Sequence, residues 1–383
     1  MQTQDIRDFK AGSWVQKLEY KSFTPNPITL QWILSDPDLQ QLLDEANRLL
    51  GRLDAFSELV PDVDFFIKMH ITKEATVSSK IEGTQTSFQE ALLDQADLDP
   101  EKRDDWKEVH NYIDAVNMAI SEMEKLPISI RLIRQTHQIL LNGTRGEHKL
   151  PGEFRRSQNW IGSSLKHAVF VPPTHEEIPD LMQDLERFIH AETLELPVII
   201  PHLIKIAIIH YQFETIHPFL DGNGRIGRLL ITLYLIDKKL MRQPALYLSD
   251  FFERNRMDYY EKLNAVRLHN RLSEWIRFFL QGIIETASNG ILTFQRIIAL
   301  RDEIERNQLV TLGRTQADAL KLVHVMYKQP VLYGTQIAKI LDKHASNANK
   351  LISALEGLEI LTELTGYSRN RMYAFKPYIE LFD

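Results

Sequence analysis

Helical periodicity is the feature that most restricts the fold of this 383-residue chain. Six segments carry apolar residues at i, i+3 and i+4 spacing, which places those residues on one face of an α-helix. These segments are residues 39–53, 104–125, 130–141, 178–190, 202–215 and 225–239. The sequence therefore predicts a mainly α-helical protein.

One segment, residues 152–173, interrupts this periodicity. Two short β-prone runs lie on either side of a polar turn at residues 163–166, and Pro172-Pro173 follows the second run. Such runs around a polar turn predict a β-hairpin, and a proline pair ends the pairing because proline has no N–H to donate. We expect a hairpin over residues 159–171.

The last 70 or so residues show a different order of elements. Helical patterns over 316–328, 334–341 and 344–355 precede two short β-prone runs, 360–364 and 371–375. This is the order of a winged helix-turn-helix, and we place its boundary near residues 308–313. Nine basic and seven acidic side chains lie between Val310 and Asp383. A positive bias this small is weak support for DNA binding.

Composition excludes several classes of site. The chain has no cysteine, which rules out a disulfide framework, a thiol nucleophile and cysteine-ligated metals and fits a reducing cytoplasm. None of its 13 histidines forms an HExxH pair, so a zinc hydrolase is unsupported. The first 21 residues lack the apolar core of a signal peptide, and apolar runs such as 229–236 are too short to span a bilayer. We expect a cytoplasmic protein without membrane contact.

The segment 217–228, His-Pro-Phe-Leu-Asp-Gly-Asn-Gly-Arg-Ile-Gly-Arg, concentrates groups that bind phosphate. Pro218 stops the helix before it, and the next helix is expected to begin after Gly224. Small residues let backbone N–H groups turn inward at the positive end of that helix, which makes an anion site. Arg225 and Arg228, three apart in its predicted first turn, reach the same side and indicate a polyphosphate partner.

Two further residues of this segment suggest a chemistry. Asp221 is a carboxylate at the rim that is able to hold Mg2+, and His217 is a base that titrates near neutral pH. Together they predict in-line attack of a hydroxyl on a nucleotide phosphate. The spacing Gly222-x-Gly224-x-x-Gly227 also matches a dinucleotide fingerprint. That fingerprint requires a preceding strand, whereas the pattern over 202–215 is helical.

The segment resembles the signature of the Fic family, with nine specified positions matched. The resemblance implies transfer of AMP from ATP to a protein hydroxyl, with release of pyrophosphate. It implies that His217 is the general base, that Asp221 binds Mg2+ and that Phe219 anchors the core. The residues it assigns to the nucleotide are Gly222, Asn223, Gly224, Arg225, Ile226, Gly227 and Arg228.

Residues 78–83, Ser-Ser-Lys-Ile-Glu-Gly, resemble the inhibitory motif of the same family. We expect them on a helix over about residues 74–90, where Ser78 and Glu82 share a face and Gly83 permits a close approach or a helix end. The resemblance implies that Glu82 pairs with Arg228 and so competes with ATP phosphate. The alternative is a solvated helix with ordinary surface charges.

The predicted hairpin is similar to the family's flap, which aligns a target segment by main-chain pairing. Its nucleotide-proximal positions are Ile161, Gly162, Ser163 and Ser164; the alternative is a structural hairpin. Tyr259 and Tyr260 resemble residues that border the adenine, where aromatic rings stack on a base. Core packing is the alternative for at least one of these tyrosines.

These interpretations divide the chain into an N-terminal regulatory region (1–103), a Fic core (104–307) and a winged helix (308–383). The predicted activity is Mg2+-dependent AMP transfer to Ser, Thr or Tyr hydroxyls of a protein target, including the chain itself, with Glu82 restraining the rate. Two alternatives stay open. The same site removes AMP from modified proteins, or the chain is a DNA-binding regulator in which the core is a sensor. The sequence also leaves open a homodimer and a DNA or protein contact through the winged helix.

Overall fold

A computed structural model describes residues 3–59, 63–196 and 200–382. Helices dominate these residues, and none of the helices described is long and apolar enough to cross a membrane. The α-helices are α1 (Pro37–Leu59), α2 (Val63–Ile81), α3 (Phe88–Ala91), α4 (Arg103–Met123), α5 (Ile130–Leu140), α6 (Ile178–Ile189), α7 (His202–Ile216), α8 (Asn223–Asp237), α9 (Ser249–Arg254), α10 (Arg256–His269), α11 (Leu272–Asp302), α12 (Gln316–Lys328), α13 (Gly334–Leu341), α14 (Ala345–Gly357) and α15 (Lys376–Ile379).

The strands are short and form small sheets. They are β1 (Thr3–Asp5), β2 (Gly12–Gln16), β3 (Lys21–Pro25), β4 (Gln31–Ile33), β5 (Ile161–Gly162), β6 (Ala168–Phe170), β7 (Val331–Tyr333), β8 (Thr362–Glu363) and β9 (Met372–Ala374). The pairs are β1–β4, β2–β3 and β5–β6, and a three-stranded sheet has the order β7-β9-β8. The β5–β6 pair is the predicted hairpin. The sequence analysis did not predict β1 to β4 or β7.

Helix α7 forms the centre of the core. The sequence predicted apolar residues on one face, but the side chains from Leu203 to Ile216 are buried on every face. Helix α7 therefore lies inside the protein, although it also carries polar side chains such as Lys205, His210 and Glu214. Helix α11 packs on α7, where Trp275 donates its indole N–H to the Ala207 carbonyl at 2.8 Å. The segment that leads into the predicted site is therefore held from all sides.

Helix α2 is shorter at its C-terminus than predicted. The expected helix over 74–90 is wrong, because α2 ends at Ile81 and the separate helix α3 begins at Phe88. Gly83 has φ +104°, a conformation that L side chains rarely adopt and that ends the helix. Ser87 then starts α3 through a capping box with Glu90.

The C-terminal region packs against α2. Its helices α12, α13 and α14 lie where the sequence predicts them, and β8 and β9 form the expected hairpin. The ring of Phe382 lies 5.3 Å from that of His70 and 6.1 Å from that of Phe88. Lys73 of α2 donates to the Phe382 carbonyl at 2.7 Å. The last residues of the described chain therefore contact the helix that precedes Glu82.

Two histidines in the core have both ring nitrogens engaged. His137 accepts from the Gly152 N–H through Nδ1 at 2.8 Å and donates from Nε2 to the Asp221 carbonyl at 2.9 Å. His210 donates from Nδ1 to the Gly227 carbonyl and accepts from the Tyr259 hydroxyl through Nε2, both at 2.9 Å. Each ring is therefore a neutral tautomer, set by its partners. Burial lowers the pKa of His137 to about 4 and that of His210 to about 3.

These histidines predict acid sensitivity. In the unfolded chain they gain protons near pH 6.5, so below that pH the unfolded state binds more protons and stability falls until the folded pKa is reached. Each contributes a slope of up to about 1.4 kcal/mol per pH unit. We expect the thermal midpoint to fall steadily from pH 7.5 to 5. His210→Gln should lower the midpoint at pH 7.5 and flatten this slope. An unchanged midpoint down to pH 5 would contradict the argument.

Candidate active site

The turn between α7 and α8 brings the predicted residues to one end of α8. His217 ends α7 in a left-handed conformation with φ +50°, and its N–H donates to the Phe213 carbonyl at 2.9 Å. Asn223 closes the turn, since its side chain accepts from the Phe219 N–H and donates to the Phe219 carbonyl, both at 2.9 Å. The Asn223 side chain is therefore engaged in holding the loop, and only its backbone N–H is left to meet an anion.

Helix α8 begins earlier than the sequence indicated. Its first residue is Asn223, and Gly222 precedes it with φ +76°. The predicted start after Gly224 is therefore wrong, because the left-handed glycine lets the helix begin at once. Arg225 lies in the first turn, and Arg228 lies in the second. No side chain caps this helix N-terminus, so its positive end faces the site.

Two glycines make room for carboxylates beside α8. A Cβ on Gly224 would lie 2.2 Å from Glu82 Oε1, and a Cβ on Gly227 would lie 2.4 Å from Glu214 Oε1. Any side chain at either position would displace a carboxylate. The space beside the first turn of α8, where the sequence predicts phosphate, thus contains the carboxylate of Glu82.

Arg228 joins α8 to α2. Its guanidinium donates to Ser78 Oγ at 2.9 Å, to the Ser78 carbonyl at 2.8 Å and to Glu82 Oε1 at 2.8 Å. The Arg228 side chain is 1% exposed, whereas that of Glu82 is 35% exposed. Burial opposes ionisation of Glu82, but the attraction of Arg228 lowers the pKa of this carboxyl overall. The pair is therefore ionised at neutral pH.

Arg225 is buried with weaker contacts. Its nearest carboxylate oxygens, on Glu108 and Asp221, both lie 3.6 Å away. Nε and one terminal nitrogen of its guanidinium are buried without a hydrogen-bond partner among the described residues. Buried guanidinium N–H groups are costly to leave unpaired. Arg225 is thus free to donate to a phosphate without breaking a short contact.

His217 is a neutral imidazole at physiological pH. Burial, then the nearby charges of Arg267 and Arg155, lower its pKa to about 4. Its Nδ1 is buried without a hydrogen-bond partner among the described residues and lies 3.9 Å from Glu214 Oε2. Arg155 donates to the His217 carbonyl at 3.0 Å and fixes the backbone. The imidazole is able to accept a proton.

Asp221 is the carboxylate of the predicted metal site. Its Oδ1 accepts from the Gly222 N–H at 2.6 Å, and its side chain is 43% exposed. Within residues 3–59, 63–196 and 200–382, no group of three or more His, Asp or Glu side chains is arranged to hold a metal ion. A single exposed carboxylate fits Mg2+, which takes one or two carboxylates together with phosphates and water. A metal held by protein side chains alone does not fit.

The hairpin lies over the same end of the core. Ile161 pairs with Phe170, and Gly162, with φ +133°, pairs with Ala168. Beneath it, the Phe170 ring packs on that of Phe23 at 6.0 Å. The residues predicted to face the nucleotide and the target, Ile161, Gly162, Ser163 and Ser164, are partly or fully exposed.

The two tyrosines of α10 have different environments. Tyr259 is 1% exposed, its ring lies 4.5 Å from that of Phe252, and its hydroxyl is bonded to His210. The prediction that Tyr259 stacks on a base is therefore wrong, because its ring belongs to the core. Tyr260 is 38% exposed and keeps a free surface.

The sequence analysis missed Glu214, Arg155 and His210. Burial raises the pKa of Glu214 to about 7, and its position three residues before His217 is the one sequence signal that pointed to it. Arg155 lies in the loop before the predicted hairpin, and its guanidinium also donates to the carbonyls of Ser157 and Pro173. His210 lies in a run of buried residues with no pattern that distinguishes it.

Comparisons with known proteins agree with this geometry. The model described as Fic/DOC family N-terminal matches residues 40–121, and the model described as Fic/DOC family matches residues 127–235. A relative named protein adenylyltransferase Fic from Drosophila melanogaster is 35% identical over 139 residues, 33% of this chain and 25% of the relative. Its counterpart from Drosophila erecta is 32% identical over 135 residues, 33% of this chain and 24% of the relative. The match thus spans about a quarter of the length of these relatives.

Solved structures share the fold. A Fic family protein from Desulfovibrio desulfuricans G20 has a TM-score of 0.55 at 19% identity and covers 90% of this chain and 97% of its own. Fic-1 from C. elegans (residues 134–508) has a TM-score of 0.50 at 19% identity and covers 69% of this chain and 74% of its own. The chain therefore contains a Fic/DOC family N-terminal domain at residues 40–121 and a Fic/DOC family domain at residues 127–235, and these solved structures share its fold.

Proposed function

We propose that this protein transfers AMP from ATP to a hydroxyl group of a protein and releases pyrophosphate. The observation that carries the proposal is the convergence at one end of α8 of three groups. They are the neutral imidazole of His217, the buried and loosely paired guanidinium of Arg225, and an uncapped helix N-terminus. The relatives named protein adenylyltransferase support the same reaction type.

The reaction is a displacement at the α-phosphorus. The attacking Ser, Thr or Tyr oxygen forms a bond to phosphorus while the bond from that phosphorus to the bridging oxygen breaks, and pyrophosphate leaves. The proton of the attacking hydroxyl goes to His217, whose low pKa keeps it unprotonated beforehand. Backbone N–H groups of α8 and Arg225 stabilise the charge on the phosphates. Mg2+, held by Asp221, would neutralise further phosphate charge.

Glu82 acts in this proposal as an inhibitor. Its carboxylate lies against Gly224 and pairs with Arg228. It therefore occupies the space, and pairs with the guanidinium, that the phosphates of ATP need. A charge-assisted hydrogen bond of this kind contributes about 1.5–3 kcal/mol. ATP must displace the carboxylate, or bind in an orientation that does not favour attack.

The proposal predicts that Glu82→Gly activates the protein. With α-labelled ATP and Mg2+, the variant should label itself or proteins of a lysate about 10- to 100-fold faster than wild type, which corresponds to losing the contact above. Glu359→Gly makes the same change at an exposed residue after α14 whose φ of +57° suits glycine, so it is the matched control and should leave the rate unchanged.

The double variant Glu82→Gly, His217→Ala should abolish the labelling. If Glu82→Gly fails to label any protein with either Mg2+ or Mn2+, AMP transfer is wrong. If the wild type instead releases AMP from a modified protein and Glu82→Gly does not, the reaction runs in the direction of removal.

Glu214 is predicted to position His217. The ionised carboxylate would accept from Nδ1–H once these atoms, 3.9 Å apart in this conformation, come within hydrogen-bond distance. The other ring nitrogen would then be left to take the proton. The pKa of Glu214 is about 7, raised by burial and by the charge of Glu82. Without Glu82 this pKa falls, so the Glu82→Gly variant should gain activity as the pH rises to 7.

In the Glu82→Gly background, Glu214→Gln should reduce kcat about tenfold with little change in KM for ATP, since general-base steps contribute factors of this size or more. The rise of activity with pH below 7 should also disappear. A normal pH profile with a reduced kcat would indicate that Glu214 has only a packing role.

We also propose the division into three parts, with boundaries near residues 103 and 307. A change of helix geometry supports the second boundary. Helix α11 is followed by a π-helix over Glu303–Gln308 and then by a segment in which Gly313 has φ +54°. In the third part, Lys350 of α14 and Arg369 and Arg371 of the β8–β9 loop are exposed. These three cations are the candidate contacts to DNA or an acidic protein.

A further inference from the structure

A cavity of about 280 Å³ lies beside α2, and none of its lining residues belongs to the site described above. Helices α2 and α11, the segment before α9 and the C-terminal residues form its walls. The residues that carry the argument below are His70, Lys73, Glu74, Tyr247, Thr286 and Arg296.

Four polar atoms of this lining are buried without a hydrogen-bond partner among the described residues. They are His70 Nε2, Glu74 Oε2, the Tyr247 hydroxyl and Thr286 Oγ1. Glu74 is 3% exposed and Tyr247 is 8% exposed. Buried polar groups are nearly always satisfied, and orphaned ones collected around a single cavity indicate a polar occupant.

The charges of the lining favour an anion. Lys73 and Arg296 supply two positive charges, and the one exposed carboxylate of the lining, Asp250, pairs with Arg254 at 3.0 Å. Burial lowers the pKa of His70 to about 4, so this ring is uncharged at neutral pH, and burial raises the pKa of Glu74, which disfavours the negative charge of its carboxyl. A carboxylate or phosphate would meet the cations, while hydroxyl and carboxyl groups hydrogen-bond the rest of the molecule.

The cavity is connected to Glu82 along one row of α2. His70, Glu74 and Ser78 follow one another at i+4 spacing, and Glu82 continues the row beyond the helix end. Glu74 Oε1 accepts from the Tyr112 hydroxyl at 3.0 Å and from Ser249 Oγ at 2.5 Å, which ties α2 to α4 and α9. The cavity wall and the pair with Arg228 therefore move together if α2 moves.

We propose that this cavity binds a small polar molecule bearing a carboxylate or phosphate group, and that the bound molecule strengthens inhibition by Glu82. The direction follows from linkage, because a ligand stabilises the conformation that forms its site, and the cavity described here coexists with the Glu82–Arg228 pair. Binding to the cavity stands independently of the enzymatic activity, whereas the inhibitory effect rests on the proposed function.

Binding is tested on the full-length protein through its thermal midpoint. Inorganic phosphate, pyrophosphate, succinate and citrate are titrated separately, so the panel distinguishes phosphate from carboxylate ligands, and glycerol serves as the uncharged control. At least one anion should raise the midpoint saturably. Arg296→Gln and Tyr247→Phe should each weaken that binding at least tenfold. Arg187→Gln, an exposed arginine on α6 outside the cavity, should not.

The variants also separate this cavity from the phosphate site at α8. A midpoint shift that persists unchanged in Arg296→Gln and Tyr247→Phe arises elsewhere and overturns the proposal, as does the absence of any saturable shift. Tyr247→Phe removes only an unpaired hydroxyl, so the fold is expected to survive it.

Coupling is tested with the ligand identified in this way. It should slow labelling by wild type several-fold and leave the rate of Glu82→Gly unchanged. Equal slowing of both proteins would show competition at the active site and would refute the coupling. If neither protein labels any target, the proposed function fails while the midpoint titration still decides whether the cavity binds an anion.

Discussion

The hydrogen bonds between Arg228 and α2 are the contacts on which the rest of the site depends. A guanidinium that is 1% exposed requires a partner, because an unpaired buried charge costs several kcal/mol. In this conformation Ser78 and Glu82 satisfy it, and both belong to the segment outside the helical hairpin of α7 and α8. In the mechanism that we propose, the need to keep Arg228 paired makes Ser78 and Glu82 direct competitors of a nucleotide phosphate. One residue would then link the conformation of the N-terminal region to the chemistry at His217.

The loop and helix that carry the other groups of the site are held rigidly. Side chains hold the backbone of the loop from His217 to Gly222. Arg155 donates to the His217 carbonyl, His137 donates to the Asp221 carbonyl, and Asn223 accepts from the Phe219 N–H. One turn further along α8, His210 donates a hydrogen bond to the Gly227 carbonyl. None of these side chains needs to rearrange to admit a ligand. The charged groups of the site are therefore preorganised. In the proposed mechanism, the part that changes is the anion beside Gly224, which is either the Glu82 carboxylate or a phosphate.

Local signals in the sequence were sufficient for α1, α4 to α8, α12 to α14, the hairpin and the loop at His217, because each depends on residues adjacent in the chain. The sequence analysis did not identify α9, α10 or α11. Features set by contacts distant in sequence were not predictable. Strand β1 forms only by pairing with β4, and the burial that raises the pKa of Glu214 comes from elements elsewhere in the chain that pack on every side of α7. Tyr259 and Tyr260 are neighbours on one helix, and nothing local shows which of them faces the core. The end of α2 was the exception, since Gly83 was present as a signal but the expected helix was extended past it.

In the proposed mechanism, the end of α2 decides how inhibition by Glu82 is released. Glu82 lies beyond Ile81 in the turn that Gly83 allows, so its carboxylate is able to leave Arg228 by a local change in this turn. Ser78 is inside α2 and would leave only if the whole helix shifted. Such a shift must break the contacts of Glu74 with Tyr112 and Ser249 and the packing of Phe382 on His70. Moving Glu82 alone breaks one charge-assisted hydrogen bond, whereas shifting the whole of α2 breaks several buried hydrogen bonds as well. ATP should therefore displace Glu82 first, while Ser78 continues to hold Arg228 in place.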